Sequence, residues 1–258
     1  MNDLRHGKGK VYYKNGTIKY EGDFVNDKYE GKGKYIYEDG KYYVGQFLNG
    51  LMHGKGVEYD NKGNIIYDGD FVNDEYEGNG HLINENGDYY IGQFLKGQIN
   101  GKGIYFRKNG TIKYEGDLVN GKYEGIGKFY FENDFYYIGA FINGLKQGKG
   151  TVYDLNGNIQ YDGDFVNDKC EGKGKLIYKN GDCYIGQFFN DLRHGKGILY
   201  YKNGTIKYEG DFINDEPEGK GKYIYENGHY YIGQYLKGKK HGKGIEYYKN
   251  GNIKYDGD

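Results

Sequence analysis

The chain has 258 residues and a formal net charge of −1, with 36 basic and 37 acidic side chains. This balance excludes the basic footprint of a nucleic-acid-binding domain. The sequence also lacks an N-terminal signal-like segment and any apolar run of about 18 residues. We therefore expect no nucleic-acid partner and a cytoplasmic location, peripheral to a membrane or the cytoskeleton.

Aromatic residues make up 18% of the chain, which contains 34 Tyr and 48 Gly but a single Pro. Disordered chains are poor in aromatics, so disorder is excluded. The apolar fraction of 36% includes the Tyr residues, and the remainder is too small for an ordinary globular core. The composition favours an open, aromatic-rich β array.

In chain order, residues 1–19 form a partial unit and residues 20–254 form ten units of 23 or 24 residues. Residues 255–258 begin another unit. Each unit has the skeleton Tyr-x-Gly-x-Phe, a short polar turn, then Gly-x-Gly, as in Tyr20 to Gly33. Self-similarity at a fixed period predicts a repeat array. We expect one continuous array over 1–258, and a fragment of a longer array, because both ends fall inside a unit.

Within a unit, Tyr20, Gly22 and Phe24 alternate and should face one side of a strand. A second strand is predicted from Gly31 through Tyr37. An Asn-Gly pair such as Asn15-Gly16 usually follows, and it predicts a turn in which both residues adopt positive φ.

We expect the glycines at 22, 31 and 33 to leave space for the rings of Tyr20 and Phe24 to lie across the backbone. The aromatic face would then form a groove that binds a partner peptide or amphipathic helix. The predicted groove residues are Tyr20, Phe24, Tyr43, Phe47, Tyr67, Phe71, Tyr90, Phe94, Tyr114, Tyr137, Phe141, Tyr161, Phe165, Tyr184, Phe188, Tyr208, Phe212, Tyr231 and Tyr235.

The opposite face should carry Glu21, Asp23 and the Lys of most Gly-x-Gly motifs, such as Lys32. It is interpreted as a solvated surface with weak cross-strand charge pairs. An acidic docking stripe is the alternative.

These motifs resemble the membrane occupation and recognition nexus, or MORN, repeat. The resemblance covers essentially the whole chain, although the chain has no Trp. It implies an all-β fold: an elongated, twisted single-layer antiparallel sheet of successive hairpins, with no helical domain. It also implies a non-catalytic part that organises cytoskeletal or membrane-associated assemblies, or that accompanies a catalytic domain.

No motif points to catalysis or a cofactor. Gly-Lys-Gly is never extended to a phosphate loop, and the repeated His6, His53, His194 and His241 are too far apart for one metal ion. They are interpreted as polar turn residues. Asn15-Gly-Thr17 and its two repeats match a glycosylation sequon but are explained as turns. Cys170 and Cys183 replace Tyr of sister units and have no metal-ligand spacing.

Three functions remain. The first is a protein-interaction scaffold, with self-association through the end hairpins as an addition. The second is a phospholipid- or phosphoinositide-binding membrane tether. The third is a regulatory segment of a multidomain enzyme such as a phosphatidylinositol phosphate kinase. We expect no enzyme activity, no cofactor and no metal site in the chain itself.

Overall fold

A computed structural model describes residues 4–257, and these residues contain β-strands and turns but no helix. The predicted all-β fold of successive antiparallel hairpins is confirmed. The strands are β1 Gly7–Tyr12, β2 Ile18–Val25, β3 Lys28–Ile36, β4 Tyr42–Leu48, β5 Leu51–Tyr59, β6 Ile65–Val72, β7 Glu75–Ile83, β8 Tyr89–Leu95, β9 Gln98–Phe106, β10 Ile112–Val119, β11 Lys122–Tyr130, β12 Phe135–Ile142, β13 Leu145–Asp154, β14 Ile159–Val166, β15 Lys169–Ile177, β16 Cys183–Phe189, β17 Leu192–Tyr200, β18 Ile206–Ile213, β19 Glu216–Ile224, β20 Tyr230–Leu236, β21 Lys239–Tyr247 and β22 Ile253–Gly257.

The chain divides into two compact units, Met1–Gly127 and Lys128–Asp258, and the division falls within β11. In the first unit each strand from β1 to β9 pairs antiparallel with the next, and β9 pairs with β10. In the second unit the strands from β12 to β22 pair in the same sequential way. Continuity of the array across residue 127 stays a prediction.

Two-residue turns close the hairpins. In the β2–β3 hairpin, Val25 pairs with Lys28, and the turn residues Asn26 and Asp27 have φ of 49° and 66°. Positive φ at both positions is the geometry that matches the right-handed twist of a hairpin, and Asn and Asp adopt it more readily than most residues. The second strand therefore begins at Lys28, three residues before the predicted start at Gly31.

The Asn-Gly pairs that follow the second strand, such as Asn15-Gly16, lie in the wider connections between hairpins. Asn49-Gly50 and Asn143-Gly144 instead lie in two-residue hairpin turns with positive φ at both residues. Turns are confirmed in the wider connections, but the predicted conformation is wrong there, because Gly16 has a positive φ (86°) and Asn15 does not. The Asn15 side chain instead accepts hydrogen bonds from the backbone nitrogen and hydroxyl of Thr17, at 3.0 and 2.7 Å. This local Asx turn explains the Asn-Gly-Thr sequence without a sugar.

The core consists of the Tyr and Phe side chains of the Tyr-x-Gly-x-Phe motifs, which we call the floor. The ring of Tyr20 lies flat over Gly22 and Gly33, which face each other across the hairpin. A Cβ on Gly22 would lie 2.7 Å from Cζ of Tyr20, and one on Gly33 would lie 2.6 Å from its Cε2. The hydroxyl of Tyr20 donates to the carbonyl of Asp23 at 2.9 Å. Gly22 and Gly33 thus leave space for the Tyr20 ring, as predicted, because a side chain at either position would overlap that ring.

Gly31 does something else. It has φ of +62° and lies at a bulge where the register of β2 and β3 shifts between Gly22 and Asp23. A Cβ there would approach Asp23 on the other face, not a floor ring. Its expected role as a space for rings is wrong, because its position demands a left-handed backbone.

We predict that Gly22→Val destabilises the β2–β3 hairpin by about 3 kcal/mol, since the added side chain must displace the Tyr20 ring. Urea unfolding and amide hydrogen exchange of β2 and β3 measure this change. Glu21→Val is the matched control on the same strand, because Glu21 is exposed and should change stability by less than about 0.5 kcal/mol. Equal stability of the two variants would contradict the packing role of Gly22.

Candidate functional site

The predicted groove residues lie at the base of the aromatic face. Every Tyr and Phe named as a groove residue is between 0% and 7% exposed, and Leu118 takes the place of Phe in one motif. The rings form edge-to-face chains that connect neighbouring hairpins: Tyr20 contacts Phe24 of its own hairpin and Phe47 of the next, both at 5.2 Å between ring centroids. The sequence prediction thus locates the aromatic face, but its exposed lining comes from other residues.

The lining begins with the residue that pairs with the floor Phe across each hairpin. Tyr29, for example, pairs with Phe24 and stacks on Tyr20 with 3.8 Å between ring centroids. We call these residues the cover row. In the first unit they are Tyr29, Met52, Tyr76, Ile99 and Tyr123. In the second unit they are Lys146, Cys170, Arg193, Pro217 and Lys240.

Sequence reasoning missed the cover row because its residue type changes from hairpin to hairpin. The available signal was positional: each member lies five residues after the floor Phe, as Tyr29 does after Phe24. Aligning the units at their 23- and 24-residue spacing would have shown a constant floor beside one variable position.

The two units present different chemistry through the cover row. In the first unit Tyr29 and Tyr76 add a second aromatic layer, with Tyr76 stacked at 3.7 Å on Tyr67. In the second unit Lys146 and Arg193 lie over floor rings, with the Arg193 guanidinium 5.6 Å from the centroid of Tyr184. Burial raises the pKa of the Cys170 thiol to about 11, which disfavours the reactive thiolate.

A cavity of about 460 Å³ opens on the aromatic face of the first unit. Its polar and charged edge comes from Lys19, Gly50 and Asp74. Its apolar and aromatic walls are Tyr29, Tyr35, Tyr37, Phe47 and Met52. Among these, only Phe47 belongs to the floor, so the cavity is built on the cover row and on the neighbouring end of β3.

The opposite face carries charge pairs, as expected. Lys55 contacts Asp70 at 2.7 Å, and Lys149 contacts Asp164 at 2.7 Å. The Lys149 ammonium lowers the pKa of the Asp164 carboxyl. In the first unit this face holds a cavity of about 890 Å³ with Lys8, Lys10, Lys32 and Lys55 among its lining residues.

Aliphatic side chains stand exposed beside the hairpin turns. Val25, Leu48, Leu51, Leu95 and Phe189 are 38–53% exposed. Strand alternation places Val25 on the face opposite Phe24. The charged face therefore has an apolar border at the turns.

Three of the four repeated His residues lie in strands, and their assignment to turns is wrong: His53, His194 and His241 belong to β5, β17 and β21, whereas His6 precedes β1. Nδ1 of His53 and of His194 is buried without a hydrogen-bond partner. Within residues 4–257, no three His, Cys, Asp or Glu side chains form a group that would hold a metal ion. Cys170 and Cys183 are free thiols.

The family model of the MORN repeat matches ten consecutive segments: residues 20–42, 43–65, 67–89, 90–112, 114–134, 137–159, 161–183, 184–206, 208–230 and 231–253. A MORN repeat variant matches residues 5–26. The chain belongs to the MORN repeat family. This membership indicates a repeat-based interaction or membrane-associated module, in a family that is generally non-catalytic.

Comparisons with solved structures and with curated proteins add little to the family assignment of this MORN repeat protein. A crystal structure of a protein of unknown function from Bacteroides caccae is 11% identical, covering 98% of this chain and 90% of that chain, with a TM-score of 0.19. No curated protein matches the sequence. In residues 4–257 there is no helix long and apolar enough to cross a membrane.

The buried Tyr residues of the floor predict that the protein unfolds at alkaline pH. Burial raises the pKa of Tyr20, Tyr43 and Tyr90 to about 12, against about 10 for an unfolded tyrosine. Because the neutral phenol is favoured in the folded state, this stabilisation is complete below pH 10 and is lost as the pH rises towards 12. Phenolate absorbance and far-UV circular dichroism should show late-titrating Tyr residues whose ionisation accompanies unfolding. Titration of every Tyr near pH 10 with an intact fold would contradict the burial of the floor.

Proposed function

We propose that this MORN array is a non-catalytic protein-interaction scaffold that binds a peptide or an amphipathic helix on its aromatic face. The main support is the cavity of about 460 Å³, whose walls are the half-buried Tyr29, Tyr35, Tyr37 and Met52 over the buried Phe47. Concave apolar sites with a few polar groups at the edge are the usual form of binding sites. Aromatic side chains also act as anchors at protein interfaces.

The division between floor and cover row supports this proposal. The floor holds the hairpins together and is not available to a partner, because its Tyr hydroxyls donate to backbone carbonyls and its rings are buried. Ile99 is buried, but the other cover-row residues and the Tyr35–Tyr37 segment are half-buried or exposed and remain reachable from solvent. A partner would therefore bind without displacing the packing that keeps the array folded.

The scaffold proposal is tested by site-specific photo-crosslinking in cells. A photoreactive phenylalanine derivative at Tyr37 should crosslink to one defined segment of a protein, whereas the same residue at Val44, on the opposite face, should not. A synthetic peptide of that segment should bind the purified array. Tyr35→Ala together with Tyr37→Ala should weaken this binding at least tenfold, because two anchors are removed.

The control for that test is Val44→Ala with Ile91→Ala, which alters exposed residues of the other face. Circular dichroism must show that both double variants remain folded. Equal peptide affinity for the two double variants, or crosslinks that arise only at Val44, would contradict binding on the aromatic face.

A second candidate is phospholipid binding by the opposite face. The observation that favours it is the apolar border of Leu48 and Leu51 beside the Lys-lined cavity of the first unit. Apolar side chains that enter the interface next to cations that meet anionic headgroups are a common membrane-binding arrangement. The acidic partners of these Lys residues, such as Asp70 for Lys55, reduce the attraction.

The lipid proposal predicts flotation of the array with anionic vesicles that contain phosphoinositide. Leu48→Ser with Leu51→Ser should reduce flotation severalfold, and raised salt should reduce it further, because charge attraction is screened. Tyr35→Ala with Tyr37→Ala is the matched control and should float like the unmodified chain. Absence of flotation at low salt would reject the lipid proposal and leave the scaffold proposal untouched.

A further inference from the structure

Two successive hairpins form a pair, and the pairs repeat every 47 residues. In the second hairpin of each pair, the cover-row residue is a cation in three cases out of five. These residues are Met52, Ile99, Lys146, Arg193 and Lys240. Each cation lies among aromatic rings of the second compact unit and beside a carboxylate. The array thus shows, with its own side chains, what a cation-binding site on this face requires.

Arg193 gives the fullest example. Its guanidinium lies 6.0 Å from the ring centroid of Tyr178, 5.6 Å from that of Tyr184 and 5.0 Å from that of Phe212. Its Nε donates to Oδ1 of Asp215 at 3.0 Å, and Oδ1 also accepts from the backbone nitrogen of Arg193 at 2.9 Å. Cation–π attraction and a charge-assisted hydrogen bond act together here.

Lys146 and Lys240 repeat this arrangement. Nζ of Lys146 lies 5.0 Å from the ring of Phe131 and 3.8 Å from Oδ1 of Asp168. Nζ of Lys240 lies 4.3 Å from the ring of Tyr231, donates to Oη of Tyr225 at 2.7 Å and pairs with Glu246. A second cation, Lys254, approaches Glu246 at 3.4 Å.

The Met52 hairpin keeps these partners around a neutral residue. Tyr37 occupies the position of Tyr178 and Tyr225, and its hydroxyl lies 3.7 Å from Sδ of Met52. Asp74 occupies the position of Asp215, and its Oδ1 accepts from the backbone nitrogen of Met52 at 2.7 Å. Glu58 lies opposite Tyr43 in the strand register, as Glu246 lies opposite Tyr231.

Two cations approach Glu246, but the residues at the two equivalent positions near Glu58 are neutral. Met52 stands in place of Lys240, and Ile66 stands in place of Lys254. Glu58 accepts a hydrogen bond from Oη of Tyr76 at 2.6 Å. In the part of the chain that the structure describes, neither Glu58 nor Asp74 forms an ion pair.

The other neutral member of the set shows that these partners do not come with every repeat. In the Ile99 hairpin, Asn84 stands in place of Tyr37, Tyr105 in place of Glu58 and Gly121 in place of Asp74. The Tyr37 ring and the two carboxylates thus have no counterparts where Ile99 fills the position. They are present around Met52 although the chain supplies no cation there.

The cavity of about 460 Å³ lies at this place, with Met52, Tyr37 and Asp74 in its lining. Lys19 is the cation at its edge, and Nζ of Lys19 lies 5.8 Å from the ring of Tyr35 and 5.5 Å from that of Tyr13. Asp74 lines the cavity, whereas Glu58 is not among its lining residues and accepts from Tyr76. Together these two carboxylates outnumber the single ammonium group of Lys19. An additional positive charge is therefore electrostatically favoured.

We propose that the cavity around Met52 receives a Lys or Arg side chain of the protein partner. The proposal rests on the scaffold function and specifies the partner as one that projects a basic side chain into the aromatic face of the first unit. The Tyr37 ring and the Glu58 and Asp74 carboxylates recognise the charge. The Met52 thioether, flexible and polarizable, adapts to the aliphatic stem.

The test uses the two Met residues of the chain, Met1 and Met52, as methyl reporters. The array labelled with ¹³C-methyl methionine is titrated with the capped tripeptides Gly-Lys-Gly and Gly-Arg-Gly, and with Gly-norleucine-Gly as the neutral control. The Met52 methyl resonance should shift saturably with both basic peptides, at about tenfold lower concentration than with the norleucine peptide.

Variants connect this selectivity to the named groups. Glu58→Gln with Asp74→Asn retains hydrogen-bond acceptors for Tyr76 and the Met52 backbone, so the fold should persist while selectivity is lost. Arg193→Met removes the charge from the equivalent site of the second unit, where Asp215 remains but Leu199 stands in place of Glu58, and should create a second methyl reporter with a weaker preference for basic peptides. Equal response to basic and neutral peptides, or selectivity that survives the Gln/Asn variant, would overturn the proposal.

Failure of this test and failure of the scaffold function are distinguishable. Tripeptide selectivity does not depend on the partner that photo-crosslinking identifies. A crosslinked partner peptide whose affinity is unchanged by Glu58→Gln with Asp74→Asn would overturn the basic-side-chain proposal and leave the scaffold proposal standing. Tripeptide selectivity without any crosslink at Tyr37 would contradict the scaffold function and leave only the preference of the cavity for a basic group.

Discussion

The contact on which the structure depends is a Tyr ring lying flat over two facing glycines. The ring of Tyr20 covers Gly22 and Gly33, while its hydroxyl bonds to the carbonyl of Asp23. A single layer of strands has no second layer to bury its side chains, so each hairpin must make a core from its own rings. Glycine is required beneath the ring because any Cβ would occupy the same space. The high Gly and Tyr content of the chain follows from this one contact.

The Phe of each motif converts these separate contacts into a chain of rings. Phe47 touches Tyr43 of its own hairpin and Tyr20 of the preceding one, each edge to face at 5.2 Å. Backbone contacts join the hairpins as well, since the nitrogen of Gly50 donates to the carbonyl of Tyr29 at 2.9 Å. Stability is therefore shared between neighbours, as expected for a repeat array.

The residues that hold the hairpins together differ from those whose type changes along the array. The floor is constant and buried, whereas the cover row changes from Tyr and Met in the first unit to Lys and Arg in the second. The surface beside the floor can then vary without altering the contacts that hold the hairpins. The Met52 region illustrates the consequence, because Tyr37, Tyr43 and Asp74 occupy the positions of Tyr178, Tyr184 and Asp215 around Arg193 while Met52 lacks the charge. A regular array acquires a distinctive site through one or two substitutions at such positions.

The sequence by itself determined the repeat, the hairpin fold and the face on which Tyr20 and Phe24 lie, because a period of 23 or 24 residues and strand alternation depend only on residue order. It also located the Asn15-Gly16 turn, although positive φ at both residues occurs at Asn26-Asp27 and not there. Only the tertiary structure decided which aromatic residues are reachable from solvent. That outcome depends on how a ring from one strand covers the next, and on the pairing that brings Met52, Glu58 and Asp74 together from different strands. Such proximity is set by register across the sheet, which residue order along one strand does not contain.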